Sequence, residues 1–158
     1  MMVKKVFPFD IVVGADCIDA MRHTNHKVYL SWMEEASLAH SDALGWPIHR
    51  FFEYGKGFVV SAHMIEYVRP TFEGDHLTMY TWVHSTESRM SYRRFTLIRD
   101  KKVCMIGCTR WAFVDIATGR SCQIPSEIAQ VFSAISPKDP VFSYFGVDLL
   151  PNYKLTLK

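Results

Sequence analysis

No stretch of this chain is apolar for long enough to form a helical membrane span. The opening residues, Met-Met-Val-Lys-Lys-Val-Phe-Pro-Phe-Asp, are broken by Pro8 and Asp10 and hold no long apolar core. That argues against a secretory signal, so the cytoplasm is the expected location. Charge of one sign is also scarce. A formal net charge of +2 over 158 residues is too small to imply the concentrated basic face that neutralises phosphates. No nucleic-acid partner is expected, and no membrane. The four cysteines, Cys17, Cys104, Cys108 and Cys122, match neither a disulfide framework nor a zinc knuckle. Reduced thiols used for packing are expected, with Cys104 and Cys108 on one face of a strand. Cys17 lies two residues before Asp19 and would need a depressed pKa and an aligned base to act as a nucleophile. His40, His49, His63, His76 and His84 form no metal-ligand spacing. Internal repeats and low-complexity tracts are absent as well.

What the chain does have is apolar and aromatic material, 49% and 14% of its residues, enough for one domain with a real core. An extended segment, Val6 to Gly14, precedes a long helix. In that helix apolar residues recur at Val28/Tyr29, Trp32/Met33, Ala36, Ala39 and Ala43/Leu44, the spacing of a buried stripe. Lys27, Ser31, Glu34, Glu35, Ser41 and Asp42 fill the opposite side. Thr24 or Asn25 caps the start, and Gly45 before Trp46-Pro47 stops the helix. Four strand-like segments follow, Phe58 to Arg69, Leu77 to Ser85, Met90 to Arg99 and Val103 to Asp115. Short turns separate them, which reads as an antiparallel meander. Ile124-Pro125-Ser126-Glu127 opens a short terminal helix. The expected class is α+β, one long helix laid on a curved antiparallel sheet of about five strands. Residues 1–135 form the domain. Residues 136–158 form an extension too apolar for a solvated tail, packed on the domain or on a partner subunit.

The chemistry-bearing residues cluster where the first strand gives way to the helix: Asp19, His23, Asn25 and His26, followed by Tyr29, Trp32 and Glu34. The first N–H groups of a helix have no internal partner and sit at the positive end of its dipole. They can stabilise the oxyanion of a carbonyl under attack. A carboxylate opposite them can attack that carbonyl or activate water to do so. The arrangement points to acyl transfer or hydrolysis.

Each residue also has a plainer use. Asp19 can end a strand and bond nearby loop amides, and Asn25 is first a helix cap. His23 can organise the loop, His26 can be solvated, and Tyr29 and Trp32 can be core. Glu34 and Glu35 are usually a solvated face. Arg89, Arg93, Arg94, Lys101 and Lys102 are ordinary strand-edge and turn charges unless they cluster at the site mouth, where they would suit phosphates.

The run Asp19-Ala-Met-Arg-His23-Thr-Asn25-His26-Lys-Val-Tyr29-Leu-Ser-Trp32-Met-Glu34-Glu35-Ala36 resembles the 4-hydroxybenzoyl-CoA thioesterase-like branch of the hotdog superfamily. Tyr67-Val-Arg-Pro70 with Gly74-Asp75, Trp111-Ala-Phe-Val-Asp115 and Gly119-Arg120 before Ile124-Pro125 extend the likeness from Val6 to Ser133. The resemblance implies a hotdog fold and hydrolysis of an acyl or aroyl thioester to free acid and coenzyme A. It implies Asp19 as nucleophile or general base, with His26 at the thioester carbonyl through its ring or its amide. His23 and Asn25 match a His-x-Asn element. Arg22 departs from the pattern, standing where the family usually has glycine. If positive φ is required there, arginine is strained; alternatively its guanidinium reaches a substrate phosphate, as Arg89 would if it clusters at the mouth. Tyr29 would wall the acyl chain.

The resemblance implies no cofactor beyond the coenzyme A of the substrate and no metal. It implies a homodimer joined sheet edge to sheet edge, or a homotetramer. Three other readings stay open: a hotdog module that binds acyl thioesters without cleaving them or serves in assembly, an acyl-carrier-protein thioesterase, and a dehydratase or hydratase. The acid–histidine motif of that last class is absent.

Overall fold

The computed structural model describes residues 5–151 and Leu157. Its elements run β1 (Phe7–Val12), α1 (His26–Ala43), α2 (Ile48–Tyr54), β2 (Lys56–Tyr67), β3 (His76–Thr86), β4 (Met90–Arg99), β5 (Lys102–Asp115) and α3 (Ser126–Val131). The five strands form one sheet in the order β1-β3-β4-β5-β2, every neighbouring pair antiparallel. The expected α+β architecture, with the sheet curved about one long helix, is the one observed.

The helix begins at His26 because Asn25 caps it, its side-chain oxygen accepting from the Lys27 amide at 3.0 Å. It ends at Gly45, whose φ of +88° is a left-handed conformation that side chains other than glycine resist. The buried face is Tyr29, Trp32, Met33, Ala36, Ser37 and His40. This stripe is turned slightly from the apolar pattern of the sequence. Ala43 is exposed, whereas Ser37 and His40 are buried with their polar atoms bonded. Ser37 Oγ donates to the Met33 carbonyl at 2.8 Å and His40 Nδ1 receives Arg93 Nη1 at 2.8 Å. Gly107 of β5 lies under α1 against the flexible end of Met33. A Cβ there would stand 2.9 Å from the Met33 terminal methyl.

Alternation along the strands sends Phe95, Leu97, Leu77 and Met79 under α1, where they meet Trp32, Met33 and Ala36. Trp82 and Ile98 point to the opposite face. There Ile135, Val141, Phe142 and Leu149 cover them, and Thr96 Oγ1 donates to the Leu149 carbonyl at 2.8 Å. The apolar character of this stretch thus has a local cause: it packs on the back of the sheet. A third cluster of Trp46, Phe113, Ile124, Ile128 and Phe132 closes one end. The sequence pattern did not reveal α2. At seven residues it is shorter than two turns, and Pro47, read as a stop for α1, also stands as its N-cap. All four cysteines are free thiols. Among the described residues no helix is long and apolar enough to cross a membrane.

Truncating Leu149, which is 1% exposed, to alanine should lower the unfolding free energy by about 3 kcal/mol. A urea melt indistinguishable from that of the parent would show that the segment does not hold the back of the sheet. Acid should weaken the fold too. Burial lowers the pKa of His63 and, with Arg94 nearby, that of His84. The folded chain therefore binds fewer protons than the unfolded one below the usual histidine value of about 6.5. Stability is full above that value and falls as pH drops towards the lowered folded values. Thermal melts from neutral pH down to mildly acidic pH should show this, with a shallower slope for His84→Gln, because His84 is half-buried whereas His63 is the more exposed of the two.

Candidate active site

The segment between β1 and α1 is a tight turn. Ile18 and Thr24 form an antiparallel bridge, the Asp19 amide donates to the His23 carbonyl at 2.8 Å, and the Arg22 amide donates to the Asp19 carbonyl at 3.0 Å. Closing it places Arg22 at φ +65°. The departure from glycine noted in the sequence therefore falls at a position that does take positive φ, and the arginine is strained there. The Asp19 carboxylate serves the turn with one oxygen only. Oδ1 accepts from the Met21 amide at 2.9 Å and the His23 amide at 3.3 Å, while Oδ2 accepts nothing among the described residues.

A buried chain of hydroxyls ties this turn to the sheet. The Thr24 amide and Oγ1 both donate to the Thr71 carbonyl, at 2.9 and 3.1 Å, and Thr71 Oγ1 donates back to Thr24 Oγ1 at 2.6 Å. With both threonine protons so engaged, the Tyr29 hydroxyl must be the donor in its 2.9 Å contact with Thr71 Oγ1. Tyr29 is 3% exposed, and burial, the larger influence, raises its pKa despite the Thr71 bond. Its ring meets Trp32 and Tyr67 edge-on, and Tyr67 donates from its hydroxyl to the His26 carbonyl at 3.0 Å. Below the turn, Arg99 bonds the Asp75 carboxylate and the Pro70 carbonyl, clamping the loop that carries Thr71.

The helix start offers one open amide. The Asn25 amide goes to the Cys17 carbonyl at 2.7 Å and the Lys27 amide is held by the Asn25 side chain. The His26 amide has no acceptor among the described residues. It shares with Asp19 a cleft of about 340 Å3, also lined by His23, Thr24, Tyr29, Tyr67 and Arg69. Asp19, with one unengaged carboxylate oxygen, and His26, with an unengaged helix-start N–H, thus line one space large enough for a reacting group. That pairing can attack, or activate water against, a carbonyl whose oxygen points at the amide.

Of the residues singled out in the sequence, Asp19, His23, His26 and Tyr29 line this cleft, and Asn25 shapes it as the helix cap. His23 packs edge-on against Phe72. Arg22 stands on the adjoining turn. Arg89 is not brought here by its own chain. It bonds the Ser121 carbonyl beside Phe113, eight residues along β5 from the partner of Tyr67, roughly 27 Å of extended strand. Cys17 packs against the core, with its sulfur 3.8 Å from the Asp16 carboxylate, and does not line the cleft. Tyr67 and Arg69 were passed over as site residues, although their Tyr-Val-Arg-Pro run carried part of the family likeness. The signal was present, but nothing in the sequence says that the end of β2 returns to the helix start.

Because Arg22 pays a left-handed penalty that glycine does not, Arg22→Gly should be more stable than Arg22→Ala by about 1 kcal/mol. Equal unfolding midpoints for the two variants would mean that the turn relaxes instead of holding its φ.

The sequence profile of the Thioesterase-like superfamily matches residues 13–132. No curated protein sequence matches the chain. Among solved structures, the hypothetical protein TT1821 from Thermus thermophilus is similar at 25% identity with a TM-score of 0.75, covering 80% of this chain and 96% of that one. A DHNA-CoA thioesterase from Staphylococcus aureus shares 18% identity at a TM-score of 0.75, over 81% of this chain and 89% of that one. An acyl-ACP thioesterase from Bacteroides thetaiotaomicron shares 17% identity at 0.76, over 87% and 56%. With the profile spanning most of its length and the sheet wrapped on one long helix, the chain belongs to the Thioesterase-like superfamily and carries the hotdog fold.

Proposed function

We propose that this chain hydrolyses an acyl thioester of coenzyme A. The observation that carries the reading is the cleft shared by Asp19 and His26, whose Oδ2 and amide are unengaged among the described residues. The thioester oxygen lies against the His26 N–H at the positive end of an 18-residue helix, which stabilises the negative charge that develops there. Asp19 acts in one of two ways. As general base it takes a proton from water while the water oxygen bonds the acyl carbon. As nucleophile it bonds that carbon itself, and the resulting anhydride is cleaved by water. In both routes the carbon–sulfur bond breaks with its electron pair going to sulfur, and the thiolate leaves without a strong general acid. Arg69 on the rim has a charge suited to the phosphates of coenzyme A. A carrier-protein thioester is the second reading, favoured by the likeness to an acyl-ACP thioesterase, and a carrier-loaded substrate beside its coenzyme A equivalent separates the two.

The assembly we propose is a homodimer, or a tetramer made of such dimers, joined through β2. That strand is a 12-residue sheet edge with Val59 and Val60 48% and 44% exposed, and such an edge invites pairing.

Asp19→Asn should keep its fold and lose at least about a hundredfold in the rate of thiol release. A variant that released thiol at the parent rate would remove Asp19 from the chemistry. Tight binding of acyl-CoA by the parent without any thiol release would identify a module that binds thioesters and does not cleave them. Sedimentation should give an even multiple of the 18.3 kDa chain, and a monomer would contradict the edge pairing.

A further inference from the structure

Arg93 stands among the ordinary strand charges in the sequence, yet the structure buries it under α1 at 5% exposure. Its Nη1 donates to two neutral acceptors, His40 Nδ1 at 2.8 Å and Thr81 Oγ1 at 3.2 Å. Both bonds leave from one nitrogen, so the other N–H groups of the guanidinium have no acceptor among the described residues. No carboxylate of the described residues pairs with it; the ion pairs there are Lys5–Asp139 and Arg99–Asp75. Burial lowers its pKa to about 10, which leaves it cationic at neutral pH. A buried cation without a counter-charge is costly, and such groups are normally paired.

Arg93 forms part of the wall of a cavity of about 560 Å3, within the range of small-molecule sites. The rest of the wall is mainly apolar, with Phe51 and Phe58 inside and Ile48, Phe52 and Val59 exposed at the rim. Trp111 adds a second unused donor, its buried Nε1 having no acceptor among the described residues. Glu34 also borders the cavity, but it is exposed and its charge acts on His63. A smaller recess of about 260 Å3 shares Glu34, Ser37, Val60 and Trp111 with this cavity and continues past Leu30 and His63. Along α1 and β2 those two residues lie on the way to His26 and Tyr67, which border the Asp19 cleft. From His26 to Ser37 the helix advances about 17 Å. That is the reach of roughly a dozen extended carbons joined by bonds of about 1.5 Å.

We propose that this cavity receives the far end of the acyl chain, and that Arg93 selects a chain ending in a carboxylate. The proposal rests on the thioesterase reading and names its substrate class: thioesters of dicarboxylic acids with an apolar middle. A methyl-ended chain would fill the apolar wall and leave the guanidinium unmatched. A terminal carboxylate meets it with charge-assisted bonds and offers an acceptor to the Trp111 N–H.

The test compares kcat/KM for octanedioyl-, decanedioyl-, dodecanedioyl- and tetradecanedioyl-CoA with the methyl-ended thioesters of the same lengths. At the best length the carboxylate-ended substrate should be preferred at least about tenfold. The ratio should collapse in Arg93→Met and be partly kept in Arg93→Lys. A parent that treats the two ends equally, or prefers the methyl end at every length, overturns the proposal, and so does a preference that survives Arg93→Met. Should Arg93→Met not fold, the parent ratio and Arg93→Lys carry the test alone. If the parent cleaves no thioester, the hydrolase reading fails by itself. Calorimetry with dodecanoate and dodecan-1-ol then decides: binding of the acid over the alcohol that depends on Arg93 keeps the carboxylate receptor, and equal binding removes it.

Discussion

Thr71 is the joint on which the site depends. It is fully buried, and through one hydroxyl and one carbonyl it engages Thr24 twice by side chain and once by backbone, and receives Tyr29 as well. These bonds fix the turn bearing Asp19 to the loop that precedes β3, while Tyr67 fixes the helix start from β2. Neither Asp19 nor the helix start is held in place by its own segment alone. Asp19 lies on an eight-residue connection between the 3-10 turn at Ala15–Cys17 and α1, and a helix start has unsatisfied amides that fray. Buried hydroxyls with every proton directed hold the two at one separation, the kind of preorganisation that lets a dipole act on a developing charge without first reorienting.

That arrangement makes sense of the polar economy around it. The Asn25 side chain takes up the Lys27 amide and the Cys17 carbonyl the Asn25 amide, so the His26 N–H is left without an acceptor among the described residues. Asp19 likewise uses one carboxylate oxygen to hold its own turn. The structural use of this residue and the chemical use proposed for it are therefore not rivals, since Oδ1 serves the turn and Oδ2 accepts nothing among the described residues. The strained Arg22 fits the same picture: positive φ there closes the turn that Asp19 holds with its amide, carbonyl and Oδ1.

Much of this was legible in the sequence where the signal is local. The cap at Asn25, the stop at Gly45, the strand alternation and the cluster from Asp19 to His26 all rest on neighbours along the chain. What escaped rests on distant pairing. The helix α2 is too short for a period to show, and Pro47 carries two meanings at once. Arg93 has the same residue type and setting as Arg94 beside it, and only strand alternation under a helix makes one of them a buried cation. Thr71 and Tyr67 show their part only through distant bonds, Thr71 to Thr24 and Tyr29, and Tyr67 to the His26 carbonyl. Arg89, by contrast, is a substrate contact only if it clusters at the site mouth, and its own chain sets it at the other end of the sheet.

The claim that the His26 amide receives the thioester oxygen is open to direct observation. With the backbone labelled, the His26 amide resonance can be followed while a non-hydrolysable methyl-ketone analogue of acyl-CoA is added. The amide proton should move downfield and exchange more slowly with solvent, and Asp19→Asn should leave that shift in place. An analogue that binds while the His26 resonance stays where it was would show that the carbonyl lies elsewhere, and the mechanism built on this cleft would fall with it.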